Sequence, residues 1–213
     1  MGNFSFSYHN RPKSDRIGFG EYLCYGLGDL SFCFIYGAIG SYMVFFYTDV
    51  ACISAGLVGT ILLFSKIFDG ISDMLMGVVI ENVHSPLGKA RPWLFWMLIP
   101  YCAGSVMLFT VPDLPEIGRA IYAFISYNLM ATVFFTSMNV PYGVLSSVMT
   151  NRQNERAILS ISRASLGALG VFLISSCAPD MVEWLGGGAA GWQKTFLVVG
   201  LVSVVLFLIA FLG

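Results

Sequence analysis

Charge is what this sequence has least of. Of 213 residues, 11 are Lys or Arg and 12 are Asp or Glu, 11% in all, while 57% are hydrophobic. A soluble domain carries about a quarter charged residues, so the deficit excludes an ordinary water-soluble protein. The net charge of −1 is unaccompanied by any basic block, which leaves nothing to attract nucleic acid. Histidine is nearly missing: His9 and His84 both fall outside the apolar stretches. The five cysteines are scattered, and none forms a CxxC pair or a metal-ligand spacing, so they read as small buried hydrophobes. No nucleophile–base pair, metal motif or cofactor fingerprint is present, so no enzyme activity and no cofactor are expected. The polar first residues lack the apolar core of a signal peptide, and Phe6 stands where a myristoylation motif requires Ser or Thr.

What is there is long apolar runs. A helix crossing a bilayer needs about 20 mostly apolar residues. Six candidate spans follow, at 23–48, 55–82, 92–111, 118–149, 157–183 and 193–213, after an N-terminal arm of residues 1–21. The fold class expected is an all-α membrane protein with six transmembrane helices in residues 22–213. Basic residues set the orientation. Arg11, Lys13 and Arg16 in the arm, Lys89 and Arg91 after the second span, and Arg152 and Arg156 after the fourth lie on one side; the other side holds only Arg119 and Lys194. Both termini are therefore expected in the cytoplasm, with the chain multi-pass in the cell (inner or plasma) membrane. Six spans resemble half of a two-part carrier, which implies a second six-helix half as partner, whether the same chain continued, a separate chain or a copy of this one. Of these, the expectation is that the 213 residues are part of a longer chain.

Ionisable groups inside the spans carry the functional signal, because each costs roughly 2.5–3.5 kcal/mol at mid-bilayer. In KIFDGISDMLMG, residues 66–77, the positions Lys66, Gly70, Asp73 and Gly77 share one helix face with Asp69 beside it. Asp69 and Asp73, four apart, point the same way and repel each other. A bound cation, a proton or Lys66 relieves that repulsion, and Lys66 cannot neutralise both. The two glycines are expected to let another helix approach. The fourth span offers Asn128, Thr132, Thr136, Asn139 and Gly143 on one stripe, oxygen and amide groups suited to a hard cation or to sugar hydroxyls. Pro141 is expected to kink that span. The first span places Asp29, Cys33, Tyr36 and Gly40 together, and the fifth places Arg163, Gly167 and Gly170. The bland reading of each is helix packing, a buried ion pair or an Arg reaching for the headgroups.

The motifs YGLGD, FFYTDV, GLVGT, KIFDGISDMLMG, SPLGKARPW, NVPYG and NERAILSISR, in that order, resemble the glycoside–pentoside–hexuronide:cation symporters, over residues 22–213. The resemblance implies the N-terminal half of a major facilitator fold. It implies a cation site at Asp69, Asp73 and Thr136, with Asn139 beside it, that takes sodium or a proton. It places a sugar-site Arg at Arg163 and a cytoplasmic gate at Arg156; with these, Asn139, Tyr36, Cys33 and Lys66 are expected at the sugar, and Asp29, Lys89 and Arg91 at the gate. Against the melibiose-carrier branch of that family, Cys33 and Asn139 stand where sugar-binding aspartates would be, and Gly143 where a Trp would be. The NVPYG form looks more like the pentoside, xyloside and glucuronide branches.

The function expected is therefore sodium- or proton-coupled uptake of a sugar or glycoside by alternating access, with the lipid bilayer as surroundings. The rivals are a carrier of related fold for a lipid or other non-sugar solute, and a non-transporting sensor or scaffold built on a carrier half.

Overall fold

The computed structural model describes residues 18–82, 91–150 and 152–212. The arm basic residues Arg11, Lys13 and Arg16, with Lys89 and His84, lie outside them, as does the side chain of Arg91. Among the described residues there are seven α-helices and no strand: α1 (Phe19–Phe45), α2 (Ala55–Asn82), α3 (Arg91–Leu108), α4 (Glu116–Tyr127), α5 (Thr136–Met149), α6 (Gln153–Trp184) and α7 (Gly188–Leu212). A π-helical segment, Asn128–Phe135, joins α4 to α5 without a break, and a second, Phe46–Val50, extends α1. The seven helices thus make six rods. Five are long and apolar enough to cross a membrane; the sixth, α3, has the shorter apolar stretch Leu94–Leu108.

α1 lies at the centre. Of its most apolar window 56% is buried, against 17% for α2. α6 packs along α1 because small residues remove the side chains that would keep the backbones apart. A Cβ at Gly170 would sit 2.9 Å from the Leu30 carbonyl oxygen, and one at Gly37 would sit 3.0 Å from Val171 Cα. α7 covers α1 and α3 through an aromatic stack. Phe109 stacks against both Phe196, at 3.6 Å between ring centroids, and Trp192, at 5.6 Å, and Phe46 meets Phe109 edge-on at 5.0 Å. Aromatic pairs of this kind add about 0.5–1.5 kcal/mol each beyond the area they bury.

The connections are tight and are tied by side-chain hydrogen bonds and close glycine packing. Between α1 and α2 the chain turns at Cys52, whose φ is +52°. The Ser54 N–H, just before α2, donates to Glu116 Oε1 at 3.0 Å, and Arg119 Nη1 donates to the Ala51 carbonyl at 2.6 Å, so the first turn of α4 holds this corner. Between α6 and α7 three consecutive glycines, Gly186, Gly187 and Gly188, have φ of +114°, +65° and +54°, a backbone L side chains rarely adopt. Gly191 then packs so close to α6 that a Cβ would lie 2.6 Å from the Val182 carbonyl oxygen. Gly70 and Gly77, expected to admit a neighbouring helix, have open space around them instead, because among the described residues no rod covers that face of α2.

Candidate functional site

α2 and the fourth rod run side by side in the same direction. Their polar stripes meet in three rungs at a constant sequence offset. Asn128 Nδ2 donates to Ser65 Oγ at 2.8 Å, Thr132 Oγ1 to Asp69 Oδ1 at 2.5 Å, and Thr136 Oγ1 to Asp73 Oδ1 at 2.9 Å. The π segment changes how these residues, four apart, line up along the rod. An α-helix over-rotates such residues by about 40°, and the wider π turn under-rotates them. Ser72, between the two aspartates, donates to the Thr132 carbonyl at 2.7 Å. Lys66 Nζ lies 3.2 Å from Asp69 Oδ2. Asp73 is more exposed than Asp69, and among the described residues no basic side chain reaches it. The two carboxylates are thus inequivalent. One is shared by a Lys and a Thr; the other is held by a Thr alone, with lone pairs free for a cation or a proton.

One turn beyond Thr136 on the same helix, Asn139 enters a second cluster. Arg163 of α6 donates from Nη2 to Asn139 Oδ1 in a short bond, and from Nε to Asp29 Oδ1 of α1 at 2.7 Å. Cys33 Sγ, one turn further along α1, lies 3.7 Å from the other Asp29 oxygen. Gly167 makes this possible, since a Cβ there would collide with Asp29 Oδ2. The guanidinium also lies over the Tyr142 ring, 5.4 Å from its centroid. Tyr142 stacks on Tyr25 at 4.8 Å, and each phenol donates to the other's backbone carbonyl. The cluster therefore presents amide and guanidinium donors beside carboxylate acceptors, an alternation that suits hydroxyl-rich molecules.

The sequence-derived assignments are redistributed by these positions. Asp69, Asp73 and Thr136 come together. Asn139, expected at both the cation and the sugar sites, binds Arg163 of the second. Asp29, expected at a gate, is buried and ion-paired with Arg163, because Gly167 opens a slot for its carboxylate. Lys66, expected at the sugar, pairs with Asp69, three residues along the same helix. Tyr36 stacks on Phe135 at 4.0 Å, between the two clusters. Arg156 lies apart from both and ties the α5–α6 corner, donating to the Thr150 carbonyl at 2.9 Å and the Ser147 carbonyl at 3.1 Å. Ser65, Ser72, Tyr25 and Tyr142 are site neighbours that sequence reading missed. Only Ser72, wedged between two aspartates, carried a signal. Among the described residues, no three His, Cys, Asp or Glu side chains gather as a metal site.

Six rods with paired carboxylates and a polar cluster buried between them define a multi-pass membrane protein of the carrier type. Residues 24–213 match the model of the MFS/sugar transport protein family, and the chain belongs to that family, one of transporters and not of enzymes. It is 33% identical over 199 residues to the isoprimeverose transporter of Lactiplantibacillus pentosus, covering 92% of this chain and 41% of that protein. It is 34% identical over 201 residues to the inner membrane symporter YicJ of Escherichia coli (strain K12), covering 93% and 44%. It is 37% identical over 199 residues to YagG of the same strain, provisionally named a glycoside/cation symporter, covering 92% and 42%. The chain thus spans about two-fifths of the length of these relatives, and its six rods correspond to the N-terminal half of a major facilitator fold.

Proposed function

We propose that this chain forms the cation-binding half of a cation-coupled sugar symporter. Asp69, Asp73, Thr132 and Thr136 take the coupling ion, sodium or a proton, and Arg163, Asn139 and Asp29 grip the sugar together with a second six-helix half. The observation that carries the reading is the rung pairing of both aspartates with threonines, one turn from the Arg163 cluster on the same rod. The names of the relatives support it: one is an isoprimeverose transporter, and another bears a glycoside/cation symporter name. The open face of α2, with Gly70, Gly77 and exposed Ile67, Ile71 and Met74, is where the second half or lipid would lie. Arg156, Lys89 and Arg91 would close the cytoplasmic face, with both termini on that side of the cell membrane.

The cycle follows from the charges. A cation between Asp69 and Asp73 removes their repulsion and ties α2 to the fourth rod. Sugar affinity then rises, and by linkage sugar raises cation affinity equally. Rocking of the halves exposes the loaded site to the other side.

The test is uptake of labelled methyl β-xyloside, methyl β-glucoside and methyl β-glucuronide into vesicles carrying the full-length carrier, under an imposed sodium or proton gradient. At least one should accumulate, and Asp73→Asn should abolish the gradient dependence. Uptake indifferent to Asp73→Asn would remove the cation site from the scheme. Failure of all three, with a lipid or other solute carried instead, would replace the sugar reading.

A further inference from the structure

The π segment Asn128–Phe135 sits between the two clusters and is clamped at both ends. At its start Asn128 is bonded to Ser65 of α2; at its end Phe135 is stacked on Tyr36 of α1. Inside it, the Thr132 carbonyl accepts from Ser72 rather than being left to the helix alone. A π turn holds one more residue than an α turn and occurs mostly at functional sites. Refolding it into the α register would rotate one flank by about 100° relative to the other. Asn128 would then leave Ser65, or Thr136 and Asn139 would leave Asp73 and Arg163. The wide turn is what allows all three rungs and the Asn139–Arg163 bond to be made at once.

We infer that this π segment is the element through which cation occupancy sets sugar affinity, and that Ser72 is the positioning residue that holds its register. The inference rests on the symport reading above and adds the means of coupling. In the structure the Thr132 and Thr136 hydroxyls donate their protons to the carboxylates. A cation between Asp69 and Asp73 takes up carboxylate oxygens and needs hydroxyl lone pairs, not hydroxyl protons, facing it. The rungs must therefore be remade on binding. The segment they anchor is displaced or stiffened, and with it Asn139, three residues beyond Thr136. A proton on Asp73 acts on the same rung by removing the acceptor charge. The charged groups near the rungs are Lys66 and Asp69 on α2 itself. From the facing rod the titratable neighbours are Tyr127 and, past the rungs, Tyr142; from α1 they are Tyr36 and Asp29; and from α6 Arg163. Residues 128–139 contain no ionisable side chain, so the fourth rod transmits the change by position and not by charge.

Ser72→Ala tests this, with Ser72→Thr as the rescue, in the full-length carrier. The quantity read is the ratio of sugar affinities with and without the coupling cation, for whichever of the three glycosides is taken up. That ratio is expected at roughly 5–150-fold in the unaltered protein. It should fall toward one in Ser72→Ala with the cation-free affinity little changed, and return in Ser72→Thr. A second variant lacking Val133, which removes the extra residue of the wide turn, should bind sugar without responding to cation. Hydrogen exchange of the peptide covering residues 128–135 should change on cation addition in the unaltered protein and not in either variant. Full cation dependence in both variants, or exchange indifferent to cation in the unaltered protein, would overturn the inference while symport stands. Loss of coupled uptake in the unaltered protein would instead overturn the symport reading and this inference with it.

Discussion

Asp29→Asn keeps the shape of the side chain and removes the charge facing Arg163. At an N–O separation of 2.7 Å, attraction at an effective dielectric of about 20 is about 6 kcal/mol, most of it offset by desolvation of the two ions. Removing one partner of a fully buried pair costs about 3–5 kcal/mol. Here the side chains keep 26% (Arg163) and 13% (Asp29) of their exposure, and Asn139 still accepts from Arg163 Nη2. The expected loss is therefore about 2 kcal/mol, between the surface and buried cases. For a unit of this size that lowers Tm by about 4–8 °C. The double variant Asp29→Asn/Arg163→Gln removes the stranded cation and should recover most of the loss. Thermal unfolding in detergent, followed by a thiol-reactive dye at the partly buried Cys24 and Cys102, reads both. If Asp29→Asn melts with the unaltered protein, or if the double variant falls by the sum of the two single ones, the pair is not coupled and the account of this cluster fails.

Thr136→Val removes the hydroxyl that donates to Asp73 at 2.9 Å at nearly constant volume. It also removes an oxygen whose lone pairs would face the bound cation, and losing such a group beside ligating carboxylates typically costs about 10–100-fold in affinity, so half-saturation by the coupling cation should rise by about that factor, read from the cation dependence of uptake; an unchanged value removes Thr136 from the site. Gly170→Ala should destabilise the bundle by about 1–3 kcal/mol, since its Cβ meets the Leu30 backbone. Gly59→Ala on open α2 should be neutral or stabilising by up to about 1 kcal/mol. Equal melting of the two variants would mean that α1 and α6 are not in the close contact described.

Periodicity made much of the site legible. Asp69 and Asp73, and Asn128, Thr132 and Thr136, recur every four residues, so each stripe could be read from its own helix. Their pairing could not, because nothing in α2 states which rod lies beside it or at what offset. The partner of Asp29 is 134 positions away, and the slot that brings them together depends on Gly167, whose small size reads equally as generic helix packing. Asn139 read toward both clusters, since it continues the Thr136 stripe; it meets Arg163 because the rod has turned from α2 toward α6 by that point. The π segment leaves no trace in composition, since NLMATVFF has the apolar pattern of any α-helical span.

The three-glycine corner between α6 and α7 bears on how the buried charge pair is held. A turn that short, with Gly191 against the Val182 carbonyl, holds the two rods as a closed hairpin. α6 brings the charged Arg163 and a serine-rich surface, while α7 has the highest mean hydropathy of the spans, 2.5. Left unpaired in the bilayer, α6 would bear the roughly 2.5–3.5 kcal/mol cost of its arginine, and Asp29 of α1, earlier in the chain, is the partner that relieves it. In the hairpin α6 packs against α7, and the Asp29–Arg163 pair closes where α6 docks on α1. Lengthening the corner would loosen that hairpin and with it the seat of Arg163 against Asp29, so three glycines far from the site help to hold its charge pair.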